Sequence, residues 1–229
     1  MLLTGCFLAL TACRESDDGP SSKNRVHDQK VHAVADAPAP EPLTAIYLIE
    51  RVHRFYPRFK PFEESLEAFY GRADTAPETR SRWAAVRQGR TRDWSLLLSV
   101  LEKKLPGYRL WNPMPGPPIS FNVCIAPENP GKTGVDKTLV FSVSHLAPLY
   151  FVYESHMRMY SDEPMRVFDA PTDAFPGVLD VVDRAIREHF GARRIDPELA
   201  RLPVQDIQAG SLEIGEATVA DALFDDDRM

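Results

Sequence analysis

The spacing of hydrophobic positions predicts helices in the first half of the folded region. Apolar side chains that recur every three to four residues indicate helices over residues 43–52, 62–70, 79–88 and 93–105. The pattern is clearest in the last of these segments. Pro106 and Gly107 follow it directly and favour a helix end at that point.

Beyond this point the pattern changes to a two-residue alternation, which predicts strands over residues 108–111, 120–126, 137–144 and 149–155. The short turns between them favour antiparallel pairing. A long amphipathic helix is expected over residues 176–190, and a turn at 215–218 leads into a short helix. This order predicts an α+β fold with N-terminal helices, a central antiparallel sheet of about four strands, and a long helix after the sheet.

Residues 1–13 form an uncharged apolar run that ends in small residues and a cysteine. The segment Leu10-Thr11-Ala12-Cys13 resembles the lipobox of bacterial lipoproteins. In that family the peptide is cut before the cysteine, and the new N-terminal cysteine is acylated. The resemblance therefore implies a signal peptide over residues 1–12 and a membrane anchor on Cys13.

Two features of this leader leave alternatives open. Leu3-Thr4-Gly5-Cys6 also fits the lipobox pattern, but cutting there would leave an apolar segment just beyond the anchor, so Cys13 is preferred. A secretory signal also needs a basic n-region, and no Lys or Arg precedes Arg14. We therefore expect the leader to begin upstream of Met1; the alternative is an apolar tail that packs on the domain.

Residues 13–42 are predicted to be the lipidated cysteine followed by a disordered tether. The segment after Cys13 has no aromatic residue and four prolines, so it cannot bury enough apolar surface to fold. As a coil of ~29 residues it would reach roughly 30 Å. Residues 43–229 are expected to form a single globular domain that faces the periplasm. Arg14 stands where an inner-membrane retention signal would have Asp, which favours the outer membrane in a Gram-negative host.

Composition excludes some classes of partner. The 229 residues carry a formal net charge of −6, which argues against nucleic acid and against electrostatic docking to anionic lipid. Of the cysteines, Cys124 alone would remain in the mature domain after the anchor, so no disulfide within the domain is expected. Cys124 lies in an alternating strand pattern, which favours a buried thiol over a nucleophile. No cofactor is expected.

One segment matches a looser phosphate-binding loop pattern, Ala126-Pro127-Glu128-Asn129-Pro130-Gly131-Lys132-Thr133. Such a loop needs converging backbone amides and a helix that begins at the lysine. Two prolines remove amides from the loop, and a strand pattern follows it instead of a helix. We therefore expect a hairpin loop and no bound nucleotide.

Histidines flank the fourth predicted strand, and they raise the possibility of catalysis. Glu154 and His156 share a face by the two-residue period, and such a pair can bind zinc or act as base and orienter. Because a zinc site needs about three or four protein ligands, we expect no metal and a polar strand end that faces water. A hydrolase that uses His145 with Glu154, or with a nearby serine, is the alternative.

Aromatic and methionine side chains concentrate in and after the same strand. Alternation places Tyr150 and Tyr153 on opposite faces, so if one face is core, the other carries a large exposed tyrosine. Tyr and Met are enriched at protein interfaces. Most of this cluster is expected to pack in the core, and the candidate interface consists of Tyr150, Tyr153, Met157 and Tyr160.

From Trp94 onward, about half the chain resembles small bacterial immunity proteins encoded beside polymorphic toxins. The resemblance is carried by residues 93–98 with 105–108, 142–146 with 149–151, and 204–210 with 215–218 and 223–224. It implies a protein without catalytic residues that occludes a cognate toxin by protein contact. Together with the lipobox, it suggests protection against a toxin that acts in the periplasm. A structural envelope lipoprotein with no discrete ligand is a further alternative.

Overall fold

An antiparallel sheet with helices on both of its faces organises the computed structural model. The structure describes residues 42–60, 71–73, 75–89, 94–112, 119–129, 135–158, 164–168 and 174–224, all within the compact unit Pro42–Met229. The predicted signal peptide, the tether with Cys13, the predicted helix over 62–70, and Tyr160 lie outside these residues.

The described helices are α1 (Ala45–His53), α2 (Pro77–Gly89), α3 (Trp94–Lys104), α4 (Val178–Phe190), α5 (Pro197–Ala200) and α6 (Val219–Phe224). The strands are β1 (Tyr108–Trp111), β2 (Ser120–Pro127), β3 (Val135–Ser144), β4 (Leu149–Arg158), β5 (Arg166–Phe168) and β6 (Arg193–Arg194). Helices precede and follow the strands, which confirms the α+β prediction.

Neighbouring strands pair in chain order, β1-β2-β3-β4-β5, and each of these pairs is antiparallel. Strand β6 pairs in parallel with Leu149 and Tyr150 at the start of β4. It lies along the same edge of β4 that pairs with β5 further along the strand. The sheet thus has six strands where about four were predicted. Strands β5 and β6 are three and two residues long, too short for alternation to reveal them.

Both faces of the sheet are buried. The register places Val123, Phe141 and Val152 on one face, where α3 and α4 pack. It places Asn122, Ser142 and Phe151 on the other face, where α1 and α6 pack. We call these the α3/α4 face and the α1/α6 face. The expectation that one face exposes a large tyrosine is wrong, because a helical layer covers each side.

Small polar residues on β2 and β3 allow α6 to lie close to the sheet. Ser120, Asn122, Ser142 and Ser144 are all buried on the α1/α6 face. Ser120 Oγ donates to the carbonyl oxygen of Phe224 at 2.6 Å, which satisfies one of the last carbonyls of α6. A larger side chain at this position would displace the helix.

Helix α1 is held to distant parts of the chain by polar contacts. Arg51 donates from Nε and from a terminal nitrogen to the carbonyl of Leu146, at 2.9 and 2.6 Å. Asp206 Oδ1 lies 2.8 Å from His53 Nε2, and its Oδ2 accepts from Arg58 Nε at 2.6 Å. Burial acts to raise the pKa of Asp206, but the hydrogen bonds from Arg58 and His53 outweigh it and hold the pKa below its ordinary value.

The Asp206 contacts predict a loss of stability in acid. Because the pKa is lowered on folding, the carboxylate contributes fully above its unfolded pKa of about 3.9, and its contribution is lost as pH falls through the folded pKa. Asp206→Asn should lower the free energy of unfolding by about 1 kcal/mol at pH 7 and flatten its decline below about pH 4. Urea unfolding at pH 7 and pH 3 measures both effects.

The matched control is Glu198→Gln, which changes an exposed carboxylate on α5. This control should leave the free energy of unfolding, at pH 7 and at pH 3, close to that of the original chain. Equal acid sensitivity in Asp206→Asn and the original chain would show that this contact does not carry the pH dependence.

Candidate functional site

Strand β4 runs from the core to the surface, and its first half is structural. Tyr150 is 1% exposed and packs with α4 against the α3/α4 face. Burial raises the pKa of Tyr150, and so does the hydrogen bond between its hydroxyl and Asp183 of α4. Tyr150, a predicted interface residue, therefore holds α4 to the sheet and offers no surface to a partner in this fold.

The second half of β4 carries the predicted interface residues that reach the surface. Met157 is 50% exposed, and Tyr153 is half-buried where it packs against the α1/α6 core. Strand β5 pairs here, with Ser155 opposite Val167. Continuing this register by one residue places Met165, 37% exposed, opposite Met157.

Tyr153, Met157, Met165 and Val167 thus share the α1/α6 face of the β4–β5 ribbon, beyond the part that the helices cover. We call this group the methionine surface. Methionine side chains are flexible and polarisable and adapt to irregular partner surfaces. The arrangement can bind another apolar surface, and it offers no acid, base or nucleophile of its own.

An ionisable pair, one side chain fully buried and the other half-buried, lies on the opposite face of the same ribbon. Glu154 is fully buried, and its Oε1 contacts Nε2 of His156. The ring of Phe168 covers His156, with centroids 4.6 Å apart. The prediction that this strand end faces water is wrong for Glu154, because β5, which the sequence pattern did not reveal, brings Phe168 over the pair.

The pair is better suited to holding the ribbon together than to chemistry. A buried carboxylate without a partner is costly, so contact with His156 stabilises Glu154 in this position. Two side chains are fewer than the three that a catalytic zinc site needs. Among the described residues, no group of three or more His, Cys, Asp or Glu side chains is placed to hold a metal ion.

His145 and Glu154, the alternative catalytic pair, do not come together. Glu154 pairs with Leu139 of β3, and His145 lies six residues after Leu139, one residue beyond the end of that strand. The Cα atoms of His145 and Glu154 are therefore roughly 20 Å apart. The His145 ring instead packs edge-on against Phe121, with centroids 4.2 Å apart. It also lies against Gly89 of α2, where a Cβ would approach Nδ1 to 2.1 Å.

The nearby serines are also engaged in structure. Ser142 and Ser144 are buried, and Ser144 Oγ accepts a hydrogen bond from the backbone amide of Leu146 at 3.0 Å. A serine nucleophile would need an exposed, strained turn between a strand and a helix. This geometry does not favour the hydrolase that the sequence left open.

Two other sequence predictions concern β2 and the turn after it. Cys124 is a free, buried thiol in β2, as predicted, and burial raises its pKa to about 12. At neutral pH it carries almost no reactive thiolate. Residues 130–134 of the phosphate-loop-like segment lie outside the described residues, but β3 begins at Val135 and pairs with β2. A strand follows the loop, as predicted, and not a helix.

No protein-family model, curated protein or solved structure matches this chain. In the described part of the chain, no helix is both long enough and apolar enough to cross a bilayer. Met165 and Val167 are not among the predicted interface residues, because the three-residue strand β5 that brings them beside β4 carries too little alternation to be recognised.

Glu154→Ala should lower the free energy of unfolding by about 3 kcal/mol, because it leaves His156 without its partner and opens a cavity. Thermal or urea unfolding at pH 7 measures the change. The matched control is Glu128→Ala, at an exposed carboxylate beyond the end of β2, which should cost under about 0.5 kcal/mol. A loss below 1 kcal/mol for Glu154→Ala would contradict a stabilising role for the pair.

Proposed function

We propose that this chain is a lipid-anchored protein of the bacterial cell envelope that binds and occludes a protein toxin, as immunity proteins do. The observation that carries the proposal is the methionine surface, an exposed apolar patch on a ribbon whose other end is fixed in the core. Neighbouring exposed apolar side chains of this kind are typical of protein contact sites. The resemblance of the second half of the chain to immunity proteins supports the choice of partner.

The geometry explains how such a surface could bind tightly. Strand β4 is continuous from the buried Leu149 to the exposed Met157, so the patch is attached to the most buried part of the sheet. A preformed surface loses little conformational freedom on binding, which leaves more of the contact energy for affinity. The methionine side chains supply local adaptability on this fixed backbone.

The N-terminal pattern supports an anchored location. Acylation of Cys13 with two or more chains would hold the protein stably at a bilayer, whereas a single chain gives only marginal binding. The tether would let the domain stand roughly 30 Å from the membrane. We place the protein on the periplasmic side, at the outer membrane in a Gram-negative host, where it would meet a toxin that acts in that compartment.

The anchor is tested by mass spectrometry of the full chain purified from its own host membrane. The expected N-terminus is an acylated Cys13, and Cys13→Ser should leave an uncut, unacylated chain. Cys6→Ser is the matched control and should be processed like the original protein. Recovery of an intact, unacylated Met1 on a freely soluble product would contradict the anchor.

Toxin binding is tested by pull-down and titration against the product of the neighbouring gene. Met157→Asp with Met165→Asp should weaken binding by about 30-fold or more, because each places a charge at the centre of an apolar contact. Leu96→Asp on α3 is the matched control, since Leu96 is 49% exposed and lies on a different element. Equal affinity of the double variant and the control would rule out the methionine surface as the contact.

A further inference from the structure

The outer face of α2 carries a cationic aromatic stripe. Arg80, Trp83 and Arg87 are spaced three and four residues apart, so they share one face of the helix. Trp83 is 40% exposed, and both arginines are exposed. Ala85 and Gly89 lie on the opposite side of the helix, where Ala85 packs against the α1/α6 core and Gly89 lies against His145. The helix is therefore attached to the domain by one side and presents the stripe on the other.

The charge on this helix differs from that of the chain as a whole. Helix α2 contains three arginines, Arg80, Arg82 and Arg87, and one acidic residue, Glu78. The formal net charge of the whole chain, in contrast, is −6. The guanidinium of Arg82 lies over the ring of Tyr56 at 4.5 Å and over Trp83 at 5.8 Å. These contacts fix the orientation of Trp83 beside a positive charge. This face is therefore locally cationic in a chain whose formal net charge is negative.

Helix α1 adds apolar side chains on the same side of the sheet. Ile46 is 71% exposed and Tyr47 is 39% exposed, both in the first turn of α1. Helices α1 and α2 bury Leu48 and Val86 in one core cluster, so they belong to the same layer. Trp, Tyr and Arg side chains are typical of protein surfaces at a membrane interface. There the aromatic rings lie among the lipid headgroups and the guanidinium contacts phosphate.

We propose that the exposed faces of α1 and α2 dock on a bilayer surface that contains anionic phospholipid. Charge complementarity selects an anionic surface, and the exposed rings and Ile46 can enter its headgroup region. The length of chain that precedes the described residues also supports a bilayer as the partner of this surface. If Cys13 is the anchor, residues 14–41 connect the bilayer to α1, and as a coil they would reach roughly 30 Å. Where in the cell this lipid contact forms rests on the proposed anchor at Cys13. The affinity of the α1 and α2 faces for anionic lipid does not depend on that anchor.

The test uses the full chain with Cys6→Ser and Cys13→Ser, so that acylation at either candidate cysteine cannot contribute to binding. Vesicles of phosphatidylcholine alone and vesicles with about one third phosphatidylglycerol are sedimented with the protein at low and high salt. We expect binding to the anionic vesicles at low salt, weakening as salt screens the charge. Because each arginine near an anionic surface contributes about fivefold to binding, Arg80→Gln with Arg87→Gln should lower the partition coefficient roughly 25-fold.

The matched control is Arg184→Gln with Arg187→Gln, which removes two exposed arginines from α4 on the opposite side of the sheet. It should leave vesicle binding unchanged. A blue shift of tryptophan emission on binding, lost in Trp83→Phe, would place Trp83 in the headgroup region. Circular dichroism of each variant confirms that the fold is retained.

Equal binding to neutral and anionic vesicles would overturn the proposal, since the apolar leader alone could produce it. Unchanged vesicle binding in Arg80→Gln with Arg87→Gln would also overturn the proposal. An acidic protein would then be the better candidate for the partner of the stripe. Both outcomes are independent of the mass spectrometry of Cys13, because the vesicle assay uses a chain that cannot be acylated. Failure of the docking surface is thus distinguishable from failure of the anchor.

Discussion

The structure depends on covering both faces of one antiparallel sheet. Tyr150 and Phe151 are neighbours in β4 and point to opposite faces, yet each is 1% exposed. Burying a large aromatic side chain is worth about 1.5–3 kcal/mol, so neither ring can be left in water without a large loss of stability. Helices α3 and α4 cover one ring and α1 and α6 cover the other, which accounts for helices on both sides of the strands.

The candidate binding surface lies where this cover ends. Beyond Val152 the sheet continues as the β4–β5 ribbon; on its α1/α6 face Tyr153 is half-buried, Ser155 is still buried and Met157 is 50% exposed. On the other face, Glu154 needs a partner because it is fully buried, and His156 under Phe168 supplies one. A single strand thus joins the most buried part of the molecule to an exposed apolar patch, and this pair fixes the ribbon between them.

Net charge describes this chain poorly because its charges are not evenly distributed. The arginines of α2 form a local positive face in a protein whose formal charge is −6. Electrostatic interactions between exposed groups are screened within about 10 Å in ordinary salt, so a partner responds to the nearest charges and not to the sum. The methionine surface and the α2 stripe differ in chemistry, one apolar and one cationic, and this difference favours two distinct contacts.

Sequence patterns alone predicted those described helices and strands that are long enough to show a regular spacing of hydrophobic residues. The ten-residue strand β3, the helix α4 and the buried Cys124 were all predictable, because alternation, helical spacing and composition are local properties. The lipobox resemblance is likewise a local signal. Tertiary structure decided what depends on contacts between distant residues: the short strands β5 and β6, the burial of Tyr150 by α4, and the separation of His145 from Glu154. Period-two alternation assigns a side chain to a face, but only the packing of other elements decides whether that face meets water.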